Sequence, residues 1–226
     1  NWTPDGAALI INGDGRLFRV DLADPQMEEI NSDFAVACNN DHGISPDGKT
    51  LVISDSTEGG KSCIYTLPIR GGVPKRITKD SPSYWHGWSP DGSTLAYVAK
   101  RTDLFNVYII PEGGGDETCL TSGFEHTDGP DYTSDSEWIW FNGQKQGRMQ
   151  LWRMRADGSD LQQMTDDDHQ NWFPHPSPGG QKVLYVAYES GVTGHPRFKE
   201  VELRIFPASG GQPDILLEMF GGQGTI

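Results

Sequence analysis

Ser45-Pro46-Asp47-Gly48 precedes the apolar run Leu51-Val52-Ile53, and together the two decide the fold. Proline presets φ for the second residue of a turn, Ser and Asp bond their own nearby backbone, and Gly accepts positive φ. Such a tetrapeptide reverses the chain between two strands. The signal recurs as Thr3-Pro4-Asp5-Gly6, Ser89-Pro90-Asp91-Gly92, Thr133-Ser134-Asp135-Ser136 and Ser177-Pro178-Gly179-Gly180, so its second position falls at 4, 46, 90, 134 and 178. Steps of 42, 44, 44 and 44 residues mark a repeat architecture in which each unit buries its faces against its neighbours.

Each signal leads into a short continuous apolar run: Leu9-Ile10-Ile11, Leu51-Val52-Ile53, Leu95-Ala96-Tyr97-Val98, Ile139-Trp140-Phe141 and Val183-Leu184-Tyr185-Val186. Runs of this kind are expected of strands covered on both faces. A second strand aligns at Leu17–Val20, Ile64–Leu67, Val107–Ile110, Leu151–Met154 and Leu203–Phe206, followed in register by Gly-rich turns such as Arg70-Gly71-Gly72 and Ala208-Ser209-Gly210-Gly211. A brief last strand ends in Ile77-Thr78, Leu120-Thr121 and Met164-Thr165. With the residues just upstream of each turn as one more strand, the unit has four antiparallel strands. A period of roughly 40–45 residues per four-stranded sheet is that of a propeller blade, whereas a meander or sandwich rarely keeps a fixed register. The chain is therefore expected to be all-β, a β-propeller of four-stranded antiparallel blades with five repeat units, forming a single domain over residues 1–226.

Composition narrows the function classes. With 18 basic and 32 acidic residues the formal net charge is -14, which repels phosphate backbones and anionic lipid, so no nucleic-acid partner is expected. No apolar run approaches 18 residues, which argues against membrane insertion. Cys38, Cys63 and Cys119 are odd in number and have no zinc-site spacing; Cys63 and Cys119, at strand positions, are expected to be small buried hydrophobes. The chain opens without an initiator Met or a charged-then-apolar leader, as a mature or excised product would.

The pattern of Ser-Pro-Asp-Gly, apolar strand, Gly-Gly turn and Leu-Thr resembles the TolB-type β-propeller repeat over essentially the whole chain. Asn39–Gly48, Tyr84–Pro90, Asp128–Tyr132, Trp172–Pro176 and Phe220–Gly224 are similar to an uncharacterised bacterial TolB-like subgroup. The two ends read as complementary fractions of one unit, so the tail could supply the missing inner strand beside Asn1-Trp2 and close a ring of five; that subgroup and the TolB propeller itself have six blades, however, so the resemblance implies instead a fragment lacking parts of one blade. It further implies protein partners and leaves the compartment open: periplasmic if the protein is like TolB, cytoplasmic if it is like relatives without a signal peptide. Closure of an incomplete ring by a second copy is a further expectation, a homo-oligomer formed through a free edge.

Within each unit the Pro-Asp-Gly and Gly-Gly turns share one rim and are stereotyped. The opposite rim diverges between repeats, as in Ser54–Lys61, Lys100–Asp103, Asn142–Arg148 and the long excursion from Tyr188 to Glu200. Loops freed from the repeat's own geometry are where binding residues collect. Five of the six histidines (His42, His86, His126, His169 and His175) lie within nine residues upstream of a turn's second position. The candidate ligand-binding set is Asn40, Asp41, His42, Tyr84, Trp85, His86, His126, Asp128, Trp172 and His175, a polar and aromatic funnel of the kind that binds small ligands or peptides. Glu125, Asp168 and His169 stand nearby. A competing reading has His42 and His86, four residues before Pro46 and Pro90, bonding the backbones of neighbouring blades. Trp2, Trp88 and Tyr132 are assigned to blade-to-blade packing, and Asp166-Asp167-Asp168 to a solvated loop.

Two functions compete. The first is a non-catalytic binding or interaction module for a protein, peptide or small polar or carbohydrate ligand, with no cofactor and no catalytic residue. No Gly-x-Ser-x-Gly elbow occurs, which speaks against a stand-alone peptidase. The alternative is a metal-dependent carbohydrate lyase resembling oligogalacturonate lyase, with imidazoles from several blades holding a divalent metal such as manganese or calcium.

Overall fold

The computed structural model describes residues 1–221 of the chain, and strands form all of their regular secondary structure. Residues 222–226, given an inner-strand role in the sequence analysis, lie outside the described residues. The first sheet runs β1 (Ala8–Gly13), β2 (Arg16–Asp21), β3 (Met27–Ile30) in that order. Residues 1–3 stand in for its inner strand. Trp2 bridges Leu9, Asn1 exchanges backbone hydrogen bonds of 2.8 and 2.7 Å with Ile10, and Thr3 N–H donates to Ala8 O at 2.9 Å.

Four sheets of four antiparallel strands follow, each in simple sequence order from inner to outer strand. They comprise β4 (Cys38–Ile44), β5 (Thr50–Asp55), β6 (Cys63–Pro68) and β7 (Lys75–Arg76); then β8 (Ser83–Trp88), β9 (Thr94–Lys100), β10 (Phe105–Pro111) and β11 (Thr118–Cys119). Next come β12 (His126–Tyr132), β13 (Trp138–Lys145), β14 (Arg148–Arg155) and β15 (Gln162–Gln163); last, β16 (Gln170–Pro176), β17 (Lys182–Tyr188), β18 (Lys199–Pro207) and β19 (Asp214–Gly221). The chain groups into two compact units, Asn1–Arg101 with Ile109–Thr118, and Thr102–Tyr108 with Cys119–Ile226.

The repeated turn is one hydrogen-bonded device. Backbone N–H of Gly6, Gly48, Gly92, Ser136 and Gly180 donates three residues back at 2.8–2.9 Å. In the first four turns the Ser or Thr hydroxyl donates to the Asp Oδ1 at 2.6–2.7 Å. That same Oδ1 accepts the N–H two residues on, from Ala7, Lys49, Ser93 and Glu137. The hydroxyl oxygen in turn accepts the N–H of the residue that starts the next strand, Ala8, Thr50, Thr94 or Trp138, at 2.9–3.0 Å. The signal thus caps one strand, reverses the chain and starts the next, which is why it alone sets the period.

The apolar-Thr ending found in three of the units closes the outer strand onto the one before it. Ile77, Leu120 and Met164 donate their N–H to Ile64 O, Val107 O and Leu151 O at 2.8 Å. The following Thr78, Thr121 and Thr165 then accept the N–H of Ile64, Val107 and Leu151 on their hydroxyls at 2.9–3.0 Å. A two-residue outer strand is enough because the threonine supplies the partner that backbone no longer provides.

Packing follows the apolar runs. In the first unit Ile10, Leu17, Leu51, Ile53 and Tyr65 form a buried cluster between the first two sheets. In the second unit Trp140, Leu151, Val183, Tyr185 and Phe206 do the same for the last two. Trp88 and Tyr132 are buried as expected of packing residues, whereas Trp2, at the head of the chain, is 61% exposed. Cys63 is buried, but Cys119 is exposed, because β11 is a two-residue outer strand with no sheet beyond it in its own blade. No helix among the described residues is long and apolar enough to cross a membrane.

Candidate functional site

The inner strands carry the candidate residues, and every complete inner strand breaks register among them. In β4 the pairing with β5 slips between Cys38 and His42, in β8 with β9 between Trp85 and Gly87, in β12 with β13 between Asp128 and Asp131, and in β16 with β17 between Trp172 and His175. Such bulges re-aim side chains and release backbone from the ladder. The sheets therefore remain regular at their Pro-Asp-Gly end and become irregular where polar and aromatic residues accumulate.

In the first unit these residues are largely engaged in structure. His42 is buried, with Nδ1 2.9 Å from Asn40 O and Nε2 3.1 Å from Ile10 O on β1. Burial lowers its pKa, opposed by the Ile10 carbonyl. Asn1 Nδ2 donates to His42 O at 2.7 Å, so the imidazole ties two sheets together, as the packing reading of this residue held. Asp41 accepts from Asn39 Nδ2 at 2.6 Å, and Asn40 is exposed. Trp85 is 6% exposed, its backbone N–H donates to Ser54 Oγ at 2.8 Å, and its indole fills the space a Cβ on Gly43 would need. Tyr84 and His86 are half-buried.

The second unit brings candidates together. Asp128 Oδ2 lies 3.8 Å from His126 Nε2 and 3.7 Å from His195 Nε2, its side chain 13% exposed. The His195 ring stands edge-on to Trp172 at 4.5 Å and to Phe173 at 5.0 Å, and His126 lies 6.0 Å from Trp172 and 5.3 Å from Phe105. Trp172 is 3% exposed, and its indole N–H has no hydrogen-bond partner among the described residues. Phe173 holds φ 54°, its N–H donating to the buried Asn142 Oδ1 at 3.0 Å. A bulky side chain in that region of backbone space is rare and is retained where surroundings enforce it. One step along, His175 Nδ1 meets Asp131 Oδ2 at 3.1 Å at the surface.

His195 is the residue that the sequence reading did not include. It sits on the connection 189–198 between β17 and β18, inside the excursion noted as divergent, and the histidine count upstream of turns passed over it. His169 lies elsewhere: its Nε2 is 3.0 Å from Arg204, which also pairs with Asp167 at 3.3 Å and with Glu202. Asp167 further accepts from Asn171 Nδ2 and from the His169 N–H, so within the acidic run Asp167 is bonded into the structure, while Asp166 and Asp168 are exposed.

The larger hollows do not coincide with these clusters. In the first unit a cavity of about 760 Å³ lies among Thr3, Asp5, Arg19, Asp47 and Arg70, and one of about 520 Å³ among Ser45, Asp47, Trp88, Asp91 and Glu112. Both are grooves between successive Pro-Asp-Gly turns, whose polar atoms already serve the turn. A cavity of about 280 Å³ in the second unit is lined by His169 and Glu189, Glu200, Glu202 and Glu218. Among the described residues no group of three or more His, Cys, Asp or Glu is placed to hold a metal ion; the donors around Asp128 do not fit one.

Comparison with known proteins accords with this architecture. The TolB β-propeller domain family matches residues 80–205. An uncharacterised protein of Agrobacterium fabrum, Atu1656, is 49% identical over the whole chain, which covers 78% of it. A candidate TolB from Agrobacterium tumefaciens superposes with a TM-score of 0.97 at 49% identity, over 100% of this chain and 82% of that one. TolB from Acinetobacter baumannii gives 0.77 at 21% identity, over 98% and 53%. An oligogalacturonate lyase in complex with manganese gives 0.68 at 12% identity, over 96% and 64%, a likeness of fold alone. From its repeat, its sheets and these matches, the chain belongs to the TolB β-propeller family.

Proposed function

We propose that the protein is a non-catalytic binding module that engages a protein or peptide segment at the end of the sheets where the inner strands lose register. The carrying observation is the recurrence of that break in all four complete sheets. A fold that keeps its turns uniform and departs from the ladder at one place in each complete sheet re-aims side chains there, where a partner can meet them. Family membership supports the reading, because TolB-like propellers are interaction modules. The lyase reading has no specific observation in its favour.

Asp131 and His175 are the accessible test, since their side chains are 29% and 50% exposed. Trp85 and Trp172 are unsuitable because truncating them removes core. Peptides selected from a display library on the wild-type protein should bind the double variant Asp131→Ala/His175→Ala at least about tenfold more weakly, with Tm unchanged. Equal binding to both proteins would place the partner elsewhere, and release of an ultraviolet-absorbing unsaturated product from pectate fragments with manganese would refute a non-catalytic role.

A further inference from the structure

The cluster around Asp128 contains its own occupant. Trp172 and Phe173 present two aromatic rings to the His195 imidazole, and Asp128 supplies a carboxylate 3.7 Å from His195 Nε2. Aromatic rings beside a carboxylate in a mostly buried setting are what a cationic group seeks: the ring quadrupole and the charge both attract it, and shielding from water strengthens both. The cradle is held rigidly. Phe173 is fixed by its bond to Asn142 and packs over Gly129, while Trp172 sits in the core with Val186 and Tyr188. His195, by contrast, belongs to a ten-residue connection with Gly191 and Gly194 at positive φ and with exposed Arg197 and Phe198.

We propose that the Trp172–Phe173–Asp128 cradle recognises a cationic side chain of a peptide partner, and that His195 is a built-in stand-in which the partner displaces. The proposal rests on the binding-module reading and names the chemistry of its ligand. A net charge of -14 favours cationic segments by steering. The Trp172 indole N–H, unbonded among the described residues, gives an incoming peptide a hydrogen-bond donor at the same place.

N-acetyl-L-arginine amide, with the neutral isostere N-acetyl-L-citrulline amide as control, tests this by following the Trp172 indole N–H resonance, assigned with Trp172→Phe. Removing a competing internal occupant raises apparent affinity, so His195→Ala should bind the arginine amide about tenfold or more tightly than wild type. Citrulline amide should not shift the resonance, and adding Asp128→Asn should abolish the gain. Should His195→Ala not fold, His195→Gln, which keeps much of the volume but has no imidazole to set against the Trp172 and Phe173 rings, is expected to act in the same direction. Equal affinity in wild type and the His195 variant, or equal binding of citrulline, would overturn the proposal. Selected peptides that still depend on Asp131 and His175 would in that case leave the broader reading standing.

Discussion

Phe173 lies against Gly129, its equivalent one repeat earlier, so closely that a Cβ on Gly129 would come within 2.9 Å of the Phe173 ring and 3.0 Å of Asn142 Oδ1. Both residues hold positive φ, 58° and 54°. Gly129→Ala therefore meets two penalties, a left-handed backbone and an overpacked contact, each worth about 1–2 kcal/mol. A loss of about 2–4 kcal/mol is expected from the shift in urea midpoint. An unaltered midpoint would mean that the two inner strands do not approach each other in this way.

The fourth turn offers the opposite change. Ser136 adopts φ 63° where Gly6, Gly48, Gly92 and Gly180 adopt 67–75°. The serine bears a strain that glycine would not, partly offset by glycine's larger backbone entropy when unfolded. Ser136→Gly should stabilise by about 0.5–1 kcal/mol, and the reverse change, Gly48→Ser, should destabilise. The Gly48 variant also faces Pro4 Cγ at 3.1 Å from the new Cβ.

What the sequence revealed and what it concealed follow the range of the interactions. The turn and its period are legible because each bond in Ser45-Pro46-Asp47-Gly48 is made within five residues. The Leu-Thr ending is legible because it recurs at a fixed place after the Gly-rich turn, though its hydroxyl bonds reach back 14 residues to the neighbouring strand and its purpose emerges only there. The bulges are not, since Phe173 and Trp85 occupy corresponding positions and nothing local distinguishes a left-handed phenylalanine from a buried indole. His195 was hidden more deeply. It lies outside the 44-residue register, and its approach to Trp172 is a contact made across a loop. His42 shows the converse: a histidine at a regular position can be a structural tie between sheets.

Thr78 tests the outer-strand device. Its hydroxyl, fully buried, accepts the Ile64 N–H at 3.0 Å. Thr78→Val keeps the shape and leaves that N–H without its partner, at a cost of about 1–3 kcal/mol. Thr78→Ser should recover most of the loss, because the acceptor returns while only a methyl group is missing. If valine and serine behaved alike, the hydroxyl would have no part in ending the blade.

Acid should loosen the turns between about pH 4 and 2. The Ser45 hydroxyl, then the Lys49 backbone N–H, hold the Asp47 carboxyl down from 3.8 to about 2. Asp5, Asp91 and Asp135 are lowered in the same direction, first by Thr3, Ser89 and Thr133. A folded-state pKa below the unfolded one means that the native state binds fewer protons, so the stabilisation is complete above about pH 4 and disappears as pH falls toward 2. These carboxylates are solvent-exposed or nearly so, which makes each contribution small, but four turns act in the same window. Tm should therefore decline between pH 4 and 2, and the variant carrying Asp→Asn at all four positions should start lower at neutral pH and show a shallower decline. The fifth turn, with Gly179 in place of Asp, provides the internal control: Gly179→Asp should add the same bonds and steepen the acid loss. A quadruple variant with the wild-type slope would show that other carboxylates govern acid unfolding.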